Sequence, residues 1–368
     1  MKKSAFKDSA TTTEQFRELN QRQFLTLYRL SQFGFATRKH LTTTCFRDTA
    51  DPDYEYSRRI VPITRGQGRK KDEGIVLSHD DLLYLGKAAH NLLLQERRET
   101  TRQAFATSNA EADEKPRYFR GLDSAGQPTP YNVKALKDPP RIGQDPRLDE
   151  YYGIADVLAK FVLCEGGIVT TRDNRYTIDR VEVYAKPDDV KFKLDGKAAE
   201  LKPDGLVIIY RADKNGKLGF DWFYVEYEDT SDPLKKVESL RRYAQFYWKG
   251  GFKENFNGTY RHRYDLVEVG EAGRPVDNPR FKVLVVCEDT DGSGYLDLIL
   301  QSFRFLEDTG LDHRKLGFPS PVMGMGQFLF CQRSALNAAE HALEPIWLNG
   351  AEYQRRQEGK AFKRVTCL

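Results

Sequence analysis

Apolar positions follow two different rhythms along this chain, and the change comes near residue 148. Upstream, Phe24, Leu25, Leu27, Tyr28 and Leu30 recur at the three-and-four spacing of an amphipathic helix that starts near Glu14. Gly34 breaks it, and Thr37 is placed to N-cap a short second helix over 38–44. A third helical element is expected from Asp53 to about Ile60. Two β-favouring runs, 60–64 and 75–77, then bracket the polar strip Arg65-Gly-Gln-Gly-Arg69-Lys70-Lys71, which predicts a hairpin with a basic tip. Ser78 is expected to cap a last helix, 79–99, with Asp80 and Asp81 favourable in its first turn.

Residues 100–147 carry Pro116, Pro128, Pro130, Pro139, Pro140 and Pro146 with little periodicity, and read as a linker. From Leu148 the pattern becomes α/β. Tyr151, Ile154, Ala155, Leu158 and Val162 line one face of a helix. Strand-like runs follow at 178–184, 206–210 and 222–227. Asp232-Pro233 opens a helix to about Lys249, and the very apolar run 282–287 precedes a helix around 296–306. A short strand, 327–331, closes a mixed sheet flanked by helices.

Composition narrows the class. Apolar residues make up 39% of 368, enough for real cores, and no apolar run approaches the ~20 residues of a membrane-spanning helix. The opening MKKSAFKDSATTTEQ has positive charge with no apolar stretch behind it, so a secretory signal is not expected. Five scattered cysteines, none in a C-x-x-C pair, argue against a disulfide scaffold or a zinc ribbon and for a reducing cytoplasm. Net charge is only +4, yet residues 1–120 hold 22 basic and 16 acidic side chains. The basic excess points to an anionic partner for the N-terminal part.

Helix, short helix, helix, basic hairpin, helix is the order of a winged helix-turn-helix, which reads the DNA major groove with a helix and lays its wing on the phosphates. Arg38, Lys39, Arg58, Arg59, Arg65, Arg69, Lys70 and Lys71 fall where such a unit needs positive charge. The bland alternative is a solvated basic loop on an ordinary helical domain.

The second half holds the candidate chemistry. Lys202-Pro203-Asp204-Gly205 immediately precedes one apolar strand, and the next carries Trp222, Tyr224, Glu226 and Glu228 on one face by alternation. An Asp at one strand end beside an acid on its neighbour makes an all-oxygen site of the kind Mg²⁺ or Mn²⁺ takes. Such a metal activates a nucleophile and offsets charge on a phosphodiester. Otherwise the strand simply emerges into solvent at Glu226. Tyr243 and Tyr247, four apart on one helix, are either a pair of nucleophiles or core residues. Arg355, Arg356, Lys360, Lys363 and Arg364 make the last 33 residues, 336–368, a basic tail. No Walker A loop is present, and no H-x-H pair occurs among the six histidines.

Asp204 and Glu226 on adjacent strands resemble the PD-(D/E)xK nuclease superfamily. A longer likeness is to the replication-relaxation family of mobile elements. It rests on Lys202-Pro203-Asp204, on Glu226-Tyr-Glu228-Asp-Thr-Ser231, on Lys235, Lys236 and Tyr243, and on the N-terminal phrases 24–30 and 37–41. The resemblance implies an α/β (α+β overall) chain with four parts: a winged helix-turn-helix over 13–99, a linker over 100–147, a restriction-endonuclease-like mixed sheet flanked by helices over 148–335, and the tail. It further implies relaxase-like, metal-dependent nicking of double-stranded DNA at an origin of transfer or replication, alongside relaxosome or replication proteins. Asp204 and Glu226 would hold Mg²⁺ or Mn²⁺, with Glu150 as a third ligand and Glu228 assisting. The chain departs from the nuclease pattern in one place. Glu228 stands where that pattern has Lys, so either Lys236 or Lys235 takes over the role of polarising the nucleophile, or the site cannot cut. The rival expectation is a DNA-binding initiation, relaxosome or transcription factor on a degenerate nuclease fold. A third, an enzyme acting on RNA or a free nucleotide, lacks an aromatic RNA-binding sheet motif.

Overall fold

A computed structural model of the chain describes residues 21–65, 75–79, 81–86, 93, 120–122, 128–130, 148–171, 174–194, 196–216, 218–228, 233–260, 279–288, 327–350 and 364–368. The chain divides into two compact units, Met1–Ala155 and Asp156–Leu368. No helix among the described residues is long and apolar enough to cross a membrane.

In the first unit, helix α1 (Gln21–Phe33) buries Leu27, Leu30 and Phe33. The backbone turns left-handed at Gly34 (φ 70°), a conformation that costs glycine nothing, and the helix ends there. Strand β1 (Ala36–Thr37) leads into α2 (Arg38–Cys45). Thr37 Oγ1 accepts from the His40 amide at 3.3 Å, and His40 Nδ1 accepts from the Thr37 amide at 3.1 Å, a reciprocal cap. Helix α3 (Pro52–Arg59) starts on Asp51, which accepts from the Tyr54 amide at 2.9 Å. Both forks of Arg22 reach Asp48 at 2.8 Å, and Nη1 also reaches the Cys45 carbonyl at 2.7 Å, tying α1 to the end of α2.

Strands β2 (Thr64–Arg65), β3 (Val76–His79) and β4 (Leu82–Leu85) complete a sheet of order β1-β4-β3-β2. Two expectations are corrected here. The runs flanking the basic strip do not form a hairpin, because β2 pairs with β3 in parallel. The antiparallel hairpin is β3–β4, in which His79 pairs with Leu82, so the helix expected over 79–99 is not present at its start. Leu82, Leu83 and Leu85 are buried in that hairpin, and burial decided in favour of strand where Ser78, Asp80 and Asp81 signalled a helix cap. Beyond it, Leu93 is helical, and the rest of 87–99 lies outside the described residues. Within the expected linker, β5 (Arg120–Leu122) pairs with β6 (Pro128–Pro130).

Helix α4 (Leu148–Val162) contains the boundary between the units. In the second unit an eight-stranded mixed sheet has the order β16-β15-β14-β13-β12-β11-β8-β7. Its members are β7 (Ile168–Thr170), β8 (Arg175–Ala185), β11 (Gly205–Asp213), β12 (Leu218–Glu228), β13 (Lys282–Cys287), β14 (Phe328–Gln332), β15 (Trp347–Asn349) and β16 (Arg364–Val365). The pairs β12–β13 and β13–β14 are parallel, and the others are antiparallel. Strands β15 and β16 fall in the expected basic tail, whose Arg364 donates to the Ile346 carbonyl at 3.0 Å instead of reaching outward alone. Arg355, Arg356, Lys360 and Lys363 lie outside the described residues, as does the helix expected around 296–306.

Alternation along β12 divides the core between two faces. Phe223 meets Phe161 of α4, with ring centres 6.1 Å apart. On the other face Trp222 and Tyr224 meet the helices α5 (Pro233–Trp248) and α6 (Gly251–Asn255), with Trp222–Phe252 at 5.9 Å and Tyr224–Tyr243 at 5.4 Å. Phe246, Phe256 and Phe281 fill the same aromatic layer. A separate two-stranded hairpin, β9 (Val190–Leu194) with β10 (Lys197–Leu201), rests Phe192 against Phe246 at 5.0 Å.

Candidate active site

The site forms where β8 ends, β11 begins and β12 ends. Gly205 pairs with Ala185 on one side and Val225 on the other. One residue beyond these pairs stand Lys186, Asp204 and Glu226, side by side at the same end of the sheet. The Lys186 amide donates to the Asp204 carbonyl at 2.7 Å and so continues the β8–β11 ladder, whereas the Asp204 amide donates at 3.0 Å to the Val225 carbonyl, the residue already opposite Gly205. A Cβ on Gly205 would stand 3.1 Å from that of Val225 and 3.4 Å from Leu158. Glycine after Asp204 thus fills a tightly packed position within β11, where the sequence alone left open a turn.

Asp204 and Glu226 are 9% and 4% exposed, an unusual burial for two carboxylates side by side. Each is held. The Lys186 ammonium lies 2.6 Å from Asp204 Oδ1, and the Tyr227 amide donates to Oδ2 at 2.8 Å. The Tyr243 hydroxyl donates to Glu226 Oε1 at 2.6 Å. Burial pushes the Tyr243 hydroxyl well above its ordinary range, and the charges of Glu226 and then Asp204 add to the rise. Of the two carboxylates, Glu226 touches this tyrosine directly, and the charge of Asp204 adds to the same effect. Glu182, also buried, accepts from the Tyr184 hydroxyl at 2.5 Å, two residues further along β8.

Lys186 went unnoticed in the sequence. Its φ of 44° is the only positive value of a non-glycine residue among the described residues. A residue before proline is ordinarily extended, and Pro187 follows directly, so nothing in the sequence signals this conformation. Left-handed backbone at a side chain of this size costs about 1 kcal/mol or more, and such strain concentrates at functional positions.

Of the other expected site residues, Glu228 ends β12 half-buried, its carbonyl accepting from the Glu288 amide at 2.9 Å. Lys235 and Lys236 are the third and fourth residues of α5, and their side chains lie outside the described residues. Glu150 is buried in the N-terminal part of α4, which belongs to the first unit, whereas Asp204 and Glu226 belong to the second. Tyr243 is fully buried and belongs to the core, whereas Tyr247 is partly exposed and packs on Phe281 at 5.6 Å. Among the described residues no group of three or more His, Cys, Asp or Glu stands together as a cage for a metal. Two carboxylates still suit a hard ion such as Mg²⁺, which keeps several waters and is commonly bound through one or two carboxylates.

Across the same strand a second cluster faces α4. Arg333, first residue of α7 (Arg333–Ala338), reaches Asp156 Oδ2 at 2.5 Å through Nη2 and Glu288 Oε1 at 2.5 Å through Nη1. The Tyr227 hydroxyl donates to the same Glu288 oxygen.

In the first unit, the expected nucleic-acid contacts divide. Arg38 and Lys39 open α2 exposed, and Arg58 is exposed on α3. Three of the arginines meet acids of α3: Arg38 with Asp53 at 2.9 Å, Arg59 with Glu55 at 2.6 Å, and Arg58 with Glu55 at 3.9 Å. Those acids offset part of the charge. Arg65 lies in β2 with its side chain outside the described residues, as are Arg69, Lys70 and Lys71 altogether.

Comparison with family models, with curated proteins and with solved structures gives no match for this chain.

Proposed function

We propose that this chain is a DNA-binding protein whose second unit nicks one strand with the help of Mg²⁺ or Mn²⁺. The observation that carries the reading is the group Lys186–Asp204–Glu226, in which two buried carboxylates and a lysine stand side by side at one end of the sheet. Asp204 and Glu226 are the residues to hold the ion, which when bound supplies a Lewis acid and a more acidic water. Lys186 provides the cation that the nuclease-like motif lacks at Glu228. Tyr243 fixes the Glu226 carboxylate and is too deeply buried to attack a phosphodiester, and a water held by the ion is the nucleophile of this proposal. The first unit supports the DNA-binding half of the proposal. Its order of helix, strand, two helices and a β-hairpin, with the hairpin's last strand paired to β1 and its first to β2, supports reading it as a winged helix.

The test is conversion of supercoiled cognate DNA to nicked circles by the purified chain with Mn²⁺. Asp204→Ala is expected to slow it on the order of 100-fold or more. Absence of nicking by the wild-type protein on DNA it demonstrably binds would sink the catalytic reading.

One observation favours a second reading. Asp204 and Glu226 already engage Lys186, the Tyr227 amide and Tyr243, as a site converted into a scaffold would. On this reading the protein is a non-catalytic initiation, relaxosome or transcription factor. Its DNA affinity then falls steeply with salt and is indifferent to divalent ions.

A further inference from the structure

We propose that Lys186 is a built-in counter-ion of the Asp204–Glu226 pair, occupying the cation position that a divalent metal has to take over. This deepens the reading above and rests on it for the identity of the metal site. Two nearly buried carboxylates side by side repel each other strongly unless something positive stands beside them. In the chain itself that charge is the Lys186 ammonium, 2.6 Å from Asp204 Oδ1, while Glu226 is steadied by the neutral Tyr243 hydroxyl.

Two features show that Lys186 is committed to this task. Its amide and its ammonium both bond to Asp204, one to the carbonyl oxygen and one to the carboxylate, so residue and partner are clamped at both ends. It also holds a left-handed backbone at φ 44°, a cost that surrounding structure has to offset. Its side chain is about a quarter exposed, twice the 12% of the Asp204 side chain, so Lys186 is the more solvent-accessible member of the pair.

A lysine is suited to giving way. Its single ammonium sits on a flexible four-carbon stem, and it can turn toward solvent without disturbing the strands. A metal ion and this ammonium cannot share one oxygen at close range, because like charges at ~4 Å repel by several kcal/mol at the effective dielectric of a protein surface. Metal binding therefore displaces the ammonium from Asp204 and leaves it beside the site, where an incoming phosphate would meet it.

The experiment is calorimetric titration of Mn²⁺, at one fixed pH and ionic strength, into the full-length wild type, Lys186→Met, Lys186→Gly and Asp204→Asn. Both Lys186 variants are expected to bind Mn²⁺ on the order of tenfold more tightly than wild type, and Asp204→Asn to bind it far more weakly. Lys186→Gly removes the ammonium and also relaxes the backbone, so it decides the matter if the methionine variant fails to fold. Equal or weaker binding by the Lys186 variants overturns the proposal. So does binding that persists undiminished in Asp204→Asn, or heat indistinguishable from buffer in every protein. Nicking is measured separately on the same preparations. Tighter binding without any nicking keeps the counter-ion and removes the nuclease reading. Nicking by the wild type without tighter binding in the variants does the reverse.

Discussion

Two clusters of the same composition stand on opposite faces of β12, each with two carboxylates, one cation and one tyrosine. On the α4 side, Arg333 bridges both of its acids, Asp156 and Glu288, each at 2.5 Å. On the α5 side, Lys186 holds Asp204, and Glu226 is held by a tyrosine. A planar guanidinium with five donors can satisfy two carboxylates at once and is not readily displaced, whereas an ammonium on a flexible stem is. Similar residues thus make a structural clasp on one face and an exchangeable site on the other. Tyr227 belongs to both, its amide on Asp204 and its hydroxyl on Glu288, so the clasp also steadies the site.

The contrast can be broken most sharply by activity. Glu226→Gln keeps a partner for Tyr243 but removes a charge, and is expected to lower single-turnover nicking about 100-fold with the urea midpoint little changed. A variant that cuts normally would erase the difference between the two faces. Next in size is Arg333→Met, expected to cost about 2–4 kcal/mol in urea denaturation, because it strands two partly buried carboxylates. Its Mn²⁺ affinity should stay within a few-fold of wild type; a larger loss than the stability change explains would make the clasp part of the site. Lys186→Gly is expected to cost about 1–3 kcal/mol in metal-free buffer. Relief of the left-handed strain, about 1 kcal/mol, offsets only part of the penalty for leaving the nearly buried Asp204 carboxylate without its counter-ion.

The smallest effect gives a baseline for the buried tyrosines. Tyr227 is pushed up by burial and then by its bond to Glu288. In the first unit Tyr56 is raised to about 12 by burial, with Arg38 opposing. Its folded value lies above its unfolded one near 10, so its contribution is complete below pH 10 and is lost as pH rises from 10 toward 12. Tyr56→Phe should leave stability at pH 7 nearly unchanged and make its decline over that window shallower. An unchanged slope would count against the burial of this hydroxyl.

How much of this was legible depended on where the information lay. Dense apolar runs placed β8, β11, β12 and β13, and Asp232-Pro233 placed α5, because burial on both faces leaves its mark in every residue of a strand. Asp204 and Glu226 were found together for the same reason, as polar residues at the ends of such runs. The β9–β10 hairpin was missed although Val190-Lys-Phe-Lys-Leu194 alternates apolar and polar and Asp195-Gly196 carries the turn signal; Lys197–Leu201 after it, with two alanines, has too weak a pattern to announce its partner. In the first unit Ser78 and two aspartates imitate a helix start so well that only the pairing of β3 with β4 shows otherwise. Lys186 was invisible on different grounds. Its role depends on a pairing 18 residues away and a backbone angle that no lysine advertises.

That pairing also separates the length of a loop from the geometry of the site. Lys186 and Asp204 are the two feet of the whole β9–β10 excursion, and they are joined to each other by main chain and side chain alike. Whatever is strung between them hangs from a closed buckle. At the far end Gly196, with φ 80° and open space around it, offers a point where a peptide tag or a fluorescent domain can be spliced in. Lengthening or shortening the excursion there leaves the carboxylates where they are, so this hairpin is the natural place for the protein to acquire new attachments without surrendering its chemistry.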